Sequence, residues 1–136
     1  MTRTAQGSFT VALQPLAFEG AEPAMQLGRL SIDKHISGDL VASTRGQMLS
    51  AQTGTPGSAG YVAIEHVSGT LHGKRGSFVL QHSGTMDRNA PTLRVTVVPD
   101  SGTDELTGLR GDFNIDRSGN QHAYSFVYTL PGDSKG

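Results

Sequence analysis

Residues 60–85 read GYVAIEHVSGTLHGKRGSFVLQHSGT, two runs in which apolar and polar residues alternate around a glycine-bounded turn. Alternation at period two sends every second side chain to the same face, so each run predicts a half-buried strand and the pair predicts a β-hairpin. The pattern also constrains the rest of the chain, because no stretch of eleven or more residues carries the apolar period of a helix. Within the hairpin, Glu65, His66 and His82 interrupt apolar runs. Burying a carboxylate or an imidazole without a partner is costly, so these residues need water or each other. The hairpin is therefore where a site is expected.

Further alternating segments surround it. Residues 8–13 (SFTVAL) predict a first strand, followed by a long loop over 14–26 that contains Pro15, Gly20 and Pro23. Residues 27–36 place Leu30, Ile32 and Ile36 on one face and Arg29, Ser31, Asp33 and His35 on the other. Ser37, Gly38 and Asp39 supply a turn into a third strand over 40–51, where Gly46 suggests a bulge or bend. After the small-residue loop 52–59 and the hairpin strands 61–71 and 77–85, residues 92–98 (TLRVTVV) predict a sixth strand ended by Pro99. A glycine-punctuated turn follows, with a short helical turn at 104–106. Strands over 109–116 and 122–130 would close the sheet through the turn Arg117-Ser118-Gly119-Asn120. Eight antiparallel strands in 136 residues fit one all-β domain, a closed barrel or a sandwich, with the barrel over 7–130 and a frayed tail over 131–136.

Composition narrows the function. A formal net charge of −1 leaves no electrostatic footprint for nucleic acid or an anionic membrane. With no cysteine there are no disulfides, no thiolate catalysis and no Cys-ligated zinc. The N-terminal segment lacks the apolar run of a signal peptide and no segment suits a membrane helix, so a cytoplasmic location is expected. No cofactor motif is present: the glycines of residues 101–111 lack the lysine and following helix of a phosphate loop.

Four motifs, SGDL (37–40), GYVAIEHVSGTL (60–71), GSFVLQHSGTM (76–86) and VVPDSGTDELTGLRG (97–111), together resemble the bacterial family known as domain of unknown function 3224. The likeness spans roughly residues 7–128. It implies an allene-oxide-cyclase-like, calycin-type barrel, a cousin of lipocalin barrels, with a cup that would hold one small apolar molecule. The SGT-x-x-L-x-G-x-x-G element is also similar to a turn of plant dirigent proteins and allene oxide cyclases. No activity is implied, because folds of this kind host many functions and no set of cyclase residues matches position by position.

The register of the hairpin decides which ionisable groups meet. A two-residue turn at Lys74-Arg75 sets Val67 opposite His82 and puts Glu65 diagonal to His82 on a face shared with Tyr61, Ala63 and Leu71. A three-residue turn over 73–75 sets His66 opposite His82 instead. In the first case Glu65 and His82 are candidate acid and base for isomerising or cyclising a small substrate, with Tyr124 as orienting donor. The structural alternative is that the two simply satisfy one another inside a barrel. Candidate ligand contacts are Tyr61, His66, Val67, Phe78, Leu80, His122, Tyr124 and Phe126. The stripe Tyr124, Phe126, Tyr128 reads first as core. No H-x-H or H-x3-H spacing marks a metal site, which would need His66, His82 and His122 to converge.

Three functions remain open at this level. The first is binding of a small hydrophobic metabolite in the barrel interior. The second is an enzyme, an isomerase or cyclase built on the Glu-His pair. The third is a filled, non-binding structural or oligomeric module, with Val62 and Ile64 on the outside as a surface for a homo-oligomer.

Overall fold

The computed structural model describes residues 2–20, 26–116 and 122–132. Its alternating segments form one antiparallel sheet closed on itself, the barrel expected from the sequence and not a sandwich. In chain order the strands are β1 (Arg3–Leu16), β2 (Leu27–Gly38), β3 (Leu40–Gln52), β4 (Ala59–Leu71), β5 (Lys74–Asp87), β6 (Ala90–Val97), β7 (Arg110–Asp116) and β8 (His122–Thr129), each bonded to the next, with β8 returning to β1. A 3₁₀ turn at Asp104–Leu106 stands where a short helical turn was expected. The turn Arg117-Ser118-Gly119-Asn120 and the tail beyond Gly132 lie outside the described residues.

The tight turns follow from backbone sterics. The β4–β5 turn is His72-Gly73, with φ of 47° and 81°, and Leu71 pairs with Lys74. A two-residue hairpin loop of this kind needs positive φ at both central positions, which glycine adopts freely and histidine more readily than most residues. This corrects both registers read from the sequence, since Lys74 and Arg75 already belong to β5. Val67 faces Phe78, Ala63 faces His82, and His66 faces Val79.

Two other sequence expectations change. β1 begins at Arg3 and runs through Pro15 to Leu16 instead of covering only residues 8–13. Among the described residues β8 pairs with β1 over Arg3–Phe9, and the rest of β1 pairs with β2. An edge tolerates a proline because no ladder donor is required there. Gly46 makes no bulge: the pairs Ile32–Gly46 and Gly46–Glu65 continue an unbroken register.

Strand lengths divide the barrel into two halves. β1 to β5 run 12 to 14 residues, whereas β6, β7 and β8 run 7 or 8. β6 pairs with the far end of β5, β7 and β8 lie at the other end, and β6 meets β7 through the single pair Thr96–Asp112. The half that contains β7 and β8 is filled. Phe78 stacks on Phe126 with centroids 5.7 Å apart and Phe113 on Tyr124 at 5.0 Å. Leu106 and Leu109 close it from below, both fully buried, with their segment tied to β5 by Ser77 N–H on Thr103 Oγ1 at 3.0 Å. Gly76 lets that segment lie close, because a Cβ there would strike the Thr103 carbonyl and the Leu106 side chain.

Tyrosine hydroxyls pin this half together. Tyr124 O–H donates to the Ser37 carbonyl at 2.8 Å and accepts from Leu40 N–H at 3.1 Å. Tyr128 O–H meets His72 Nδ1 at 2.6 Å, joining β8 to the β4–β5 turn. Because Phe126 is fully buried among Phe78, Phe113 and Tyr128, Phe126→Ala is expected to cost about 3–5 kcal/mol of stability in urea unfolding. Leu13→Ala, at a position 48% exposed in the other half, is expected to cost less than about 1 kcal/mol. Equal losses would contradict the division of the barrel.

Candidate functional site

At mid-height, the alternation of β2 to β5 sends four polar side chains inward. Lys34 on β2 pairs directly across from Thr44 on β3, Glu65 on β4 lies diagonal to Thr44, and His82 on β5 lies diagonal to Glu65. Strands tilt in a barrel, so these diagonal positions form one level across the interior. Glu65 is completely buried, and Lys34, Thr44 and His82 are nearly so.

The carboxylate is the hub. Glu65 Oε1 receives Lys34 Nζ at 3.1 Å and His82 Nε2 at 2.8 Å, while Oε2 receives the Thr44 hydroxyl at 2.6 Å. Lys34 Nζ also sits 4.8 Å from the centroid of the Phe9 ring, a cation–π contact. Burial pushes the Glu65 carboxyl toward the neutral form. The His82 hydrogen bond, the Lys34 charge and the Thr44 hydrogen bond together outweigh it, and the pKa falls from 4.5 to about 2. Room for the carboxylate comes from Gly46, directly opposite, where a Cβ would collide with the Ile64 carbonyl and Glu65 Cα.

Above this level, on the side away from the packed aromatics, His82 Nδ1 faces the Tyr61 hydroxyl at 3.4 Å. Tyr61 is half-buried and lies across Gly84, whose missing side chain makes space for the ring. The inward faces of the longer strands continue past this point, and there Leu13, Met86 and Leu93 are 48%, 42% and 40% exposed. These side chains stand at the same end of the barrel as Tyr61, past the Lys34–Glu65–His82 layer, and Pro15 and Pro91 lie at that end of β1 and β6.

The residues singled out in the sequence distribute unevenly over this arrangement. Glu65 and His82 are brought together as an acid–base pair, with Tyr61 beside them. Val67, Phe78, Leu80, Tyr124 and Phe126 are packed against one another in the filled half. Tyr124 is committed to the Ser37 and Leu40 backbone, so it does not orient the Glu65–His82 pair. Burial holds its phenol pKa above the ordinary value, with Asp39 adding to the rise and the Leu40 backbone bond opposing it. His122 lies against Phe9, ring centroids 5.1 Å apart. His66 corrects the second hairpin register: its even position puts it on the outer face, exposed, and it does not converge with His82 and His122. Among the described residues no group of three or more His, Asp or Glu side chains has metal-site geometry.

Sequence reasoning missed Lys34 and Thr44. The signal for Lys34 was its parity, since it falls between the inward Ile32 and Ile36, but lysine is so seldom buried that its residue type pointed outward. Thr44 carried no such mark.

These contacts fix how stability depends on pH. A carboxylate whose folded pKa is depressed stabilises the native state fully above its unfolded value, and that contribution disappears as pH falls through the folded value. The window here runs from pH 4.5 down to about 2, and the contribution is on the order of 3 kcal/mol. Glu65→Gln is expected to flatten the stability profile across that window. At neutral pH it should cost about 3–5 kcal/mol, because Lys34 would be left buried without its counter-charge. An unchanged acid profile in the variant would show that Glu65 is not the group being titrated.

Comparison with known proteins adds a family but no activity. A family model described as "Protein of unknown function (DUF3224)" matches residues 5–128. A crystal structure of a protein with unknown function from the DUF3224 family of Shewanella oneidensis is similar at 45% sequence identity and a TM-score of 0.89, covering 96% of this chain and 98% of that one. No curated protein matches. Among the described residues no helix is long and apolar enough to cross a membrane. A model match over nearly the whole chain, with a relative of the same fold at this identity, places the chain in the DUF3224 family.

Proposed function

We infer that the protein binds a small, largely apolar molecule in the open half of its barrel, with the polar end of that molecule against the Tyr61–His82 edge of the polar layer. The observation that carries this reading is the exposure of Leu13, Met86 and Leu93 on inward-facing strand positions. Inward positions around the aromatic stack, such as Phe78, Leu80, Phe113 and Phe126, are buried, so this chain fills its interior where aromatic residues are supplied. Large apolar side chains left open around a concave end favour an apolar occupant, since covering them removes apolar surface from water. A few convergent polar groups beneath an apolar wall match the usual make-up of a small-molecule site.

The orientation of the occupant follows from that layer. Hydrogen-bonding atoms converge at mid-height and the rim is apolar, so a molecule with one polar end is accommodated better with that end inward. The reading favours a carrier or binder over a filled module on the strength of the open half. It also moves the contacts from Val67, Phe78 and Leu80, which the packed core already uses, to the opposite half of the barrel.

The test compares two charge insertions of equal chemistry. Leu93→Glu places a carboxylate on the cup wall, whereas Val62→Glu places one on the outer face at a position already 51% exposed. Protein purified without detergent is examined by native mass spectrometry, then after denaturation to release any bound species. Wild type and Val62→Glu are expected to retain the same small molecule in stoichiometric amount. Leu93→Glu is expected to lose at least tenfold in occupancy at equal ligand concentration, corresponding to about 1.4 kcal/mol. Equal retention by all three proteins, or an empty wild type that takes up no apolar probe, would sink the cup as a binding site.

A further inference from the structure

The outer wall of the barrel is not uniformly polar. Outward positions of a half-buried strand face water and are normally polar. On β3 and β4, however, Leu49, Val62 and Ile64 point outward and are 45%, 51% and 54% exposed. Leu49 pairs directly with Val62, and Ile64 follows on the same face of β4, so the three form one apolar patch. A contiguous patch of this kind marks a surface that another molecule covers.

The charges around the patch say what that molecule is. Ser31, Gln47, Ile64 and Gln81 are successive register partners, a row of uncharged outward side chains that crosses β2, β3, β4 and β5. On β2, Arg29 and Asp33 stand on the same outer face, each two residues from this row and on opposite sides of it. At the rise of a strand each is roughly 7 Å from Ser31. Asp33 is exposed and has a long 3.8 Å contact with Arg45 on β3. Arg29 is half-buried, and among the described residues its Nε is buried with no hydrogen-bond partner. An unpaired buried donor is costly, so this guanidinium lacks an acceptor that the barrel itself does not supply.

We propose that this face is the contact between two copies of the chain, related by a two-fold axis along the Ser31–Gln47–Ile64–Gln81 row. Rotation about such an axis reverses the strand direction and leaves the row in place, so each strand lies over its own copy. Ile64 then packs on Ile64 of the second copy. Arg29 comes over Asp33 of the second copy, and the same operation forms the reciprocal pair. Arg45 stands beside the Asp33 that receives Arg29, so one carboxylate serves two guanidinium groups. A foreign partner would not need opposite charges at equal distances from an apolar row; a second copy does. Three outward positions on each of four strands give about a dozen residues a side, against the roughly 20–30 of a standard interface. The dimer is therefore expected to be weak. All these side chains point away from the interior, so the contact is independent of what the barrel binds.

The test is sedimentation equilibrium over micromolar to submillimolar protein at low salt. Wild type is expected to show a concentration-dependent equilibrium between monomer and dimer. Ile64→Glu, which sets two carboxylates against each other on the axis, is expected to be monomeric throughout. Arg29→Glu and Asp33→Arg each bring like charges together at both reciprocal contacts, and each is expected to weaken self-association at least about tenfold. The decisive sample is an equal mixture of these two variants. In the mixed dimer the introduced glutamate faces the introduced arginine at one contact, and native Asp33 faces native Arg29 at the other. The mixture is expected to recover most of the wild-type association, which neither variant shows alone and which also establishes that both are folded. A wild type that forms no dimer at the highest concentration overturns the proposal and leaves the patch to a different partner. A dimer that survives Ile64→Glu or either charge reversal places the contact elsewhere and overturns it too. So does a mixture of the two charge variants that stays monomeric.

Discussion

A carboxylate with no solvent exposure in the middle of a barrel has to be surrounded before the barrel can close. Glu65 meets that condition with one ammonium, one imidazole and one hydroxyl, drawn from the three other strands of its side of the wall. Each partner is itself buried, so none of the four could be left alone at this depth without a large penalty. The level they form separates two kinds of interior. On one side the aromatic residues of β5, β7 and β8 stack to native density; on the other, the apolar side chains of the long strands stand partly exposed. The polar layer thus marks the end of the core.

The division was built from strand length. Among the described residues β8 pairs with β1 over Arg3–Phe9 and β6 with β5 over Leu80–Asp87, so the two ends of the barrel have different walls. At the filled end side chains of all eight strands pack around the aromatic stack, Leu40 on β3 and Val95 and Val97 on β6 among them, and Leu106 and Leu109 complete it. At the other end β1 and β6 present edges, and prolines at positions 15 and 91 occupy those edges. Proline lacks the donor that a further strand would need and so blunts an edge against unwanted pairing. That end of the sheet is therefore protected from extension by a further strand.

Much of this was legible in the sequence because side-chain direction in a strand depends only on parity. One of the two registers read from the sequence put Glu65 and His82 on one inward face, even though its turn lay two residues from the observed one. A shift of the turn centre by two residues changes each partner but preserves the face. The same argument placed Val62 and Ile64 outside and Ile32 and Ile36 inside. What parity could not supply was height. Whether an inward residue belongs to the packed half or the open half depends on how far the neighbouring strands extend, and that was hidden by the unrecognised pairing of Arg3–Gly7 with β8 and by the passage of β1 through Pro15. Candidate contacts such as Phe78 and Phe126 were on the right face and at the wrong level for an open cavity. Lys34 was lost for a different reason: its position pointed inward, its residue type pointed outward, and without the Glu65 partner in view the residue type prevailed.

Buried ion pairs of this kind are seldom the most stable way to fill an interior, since well-packed apolar side chains of similar volume often do as well or better. The other half of this barrel shows that apolar filling was accessible to the same fold. An ionised Glu65 with Lys34 and His82 around it contributes something that a leucine cluster would not, namely a fixed negative charge that holds the imidazole by Nε2 and turns Nδ1 toward the open end. The carboxylate therefore does more than satisfy its own partners. It sets which nitrogen of His82 faces Tyr61, and the missing side chains of Gly46 and Gly84 let β4 and the Tyr61 ring approach closely.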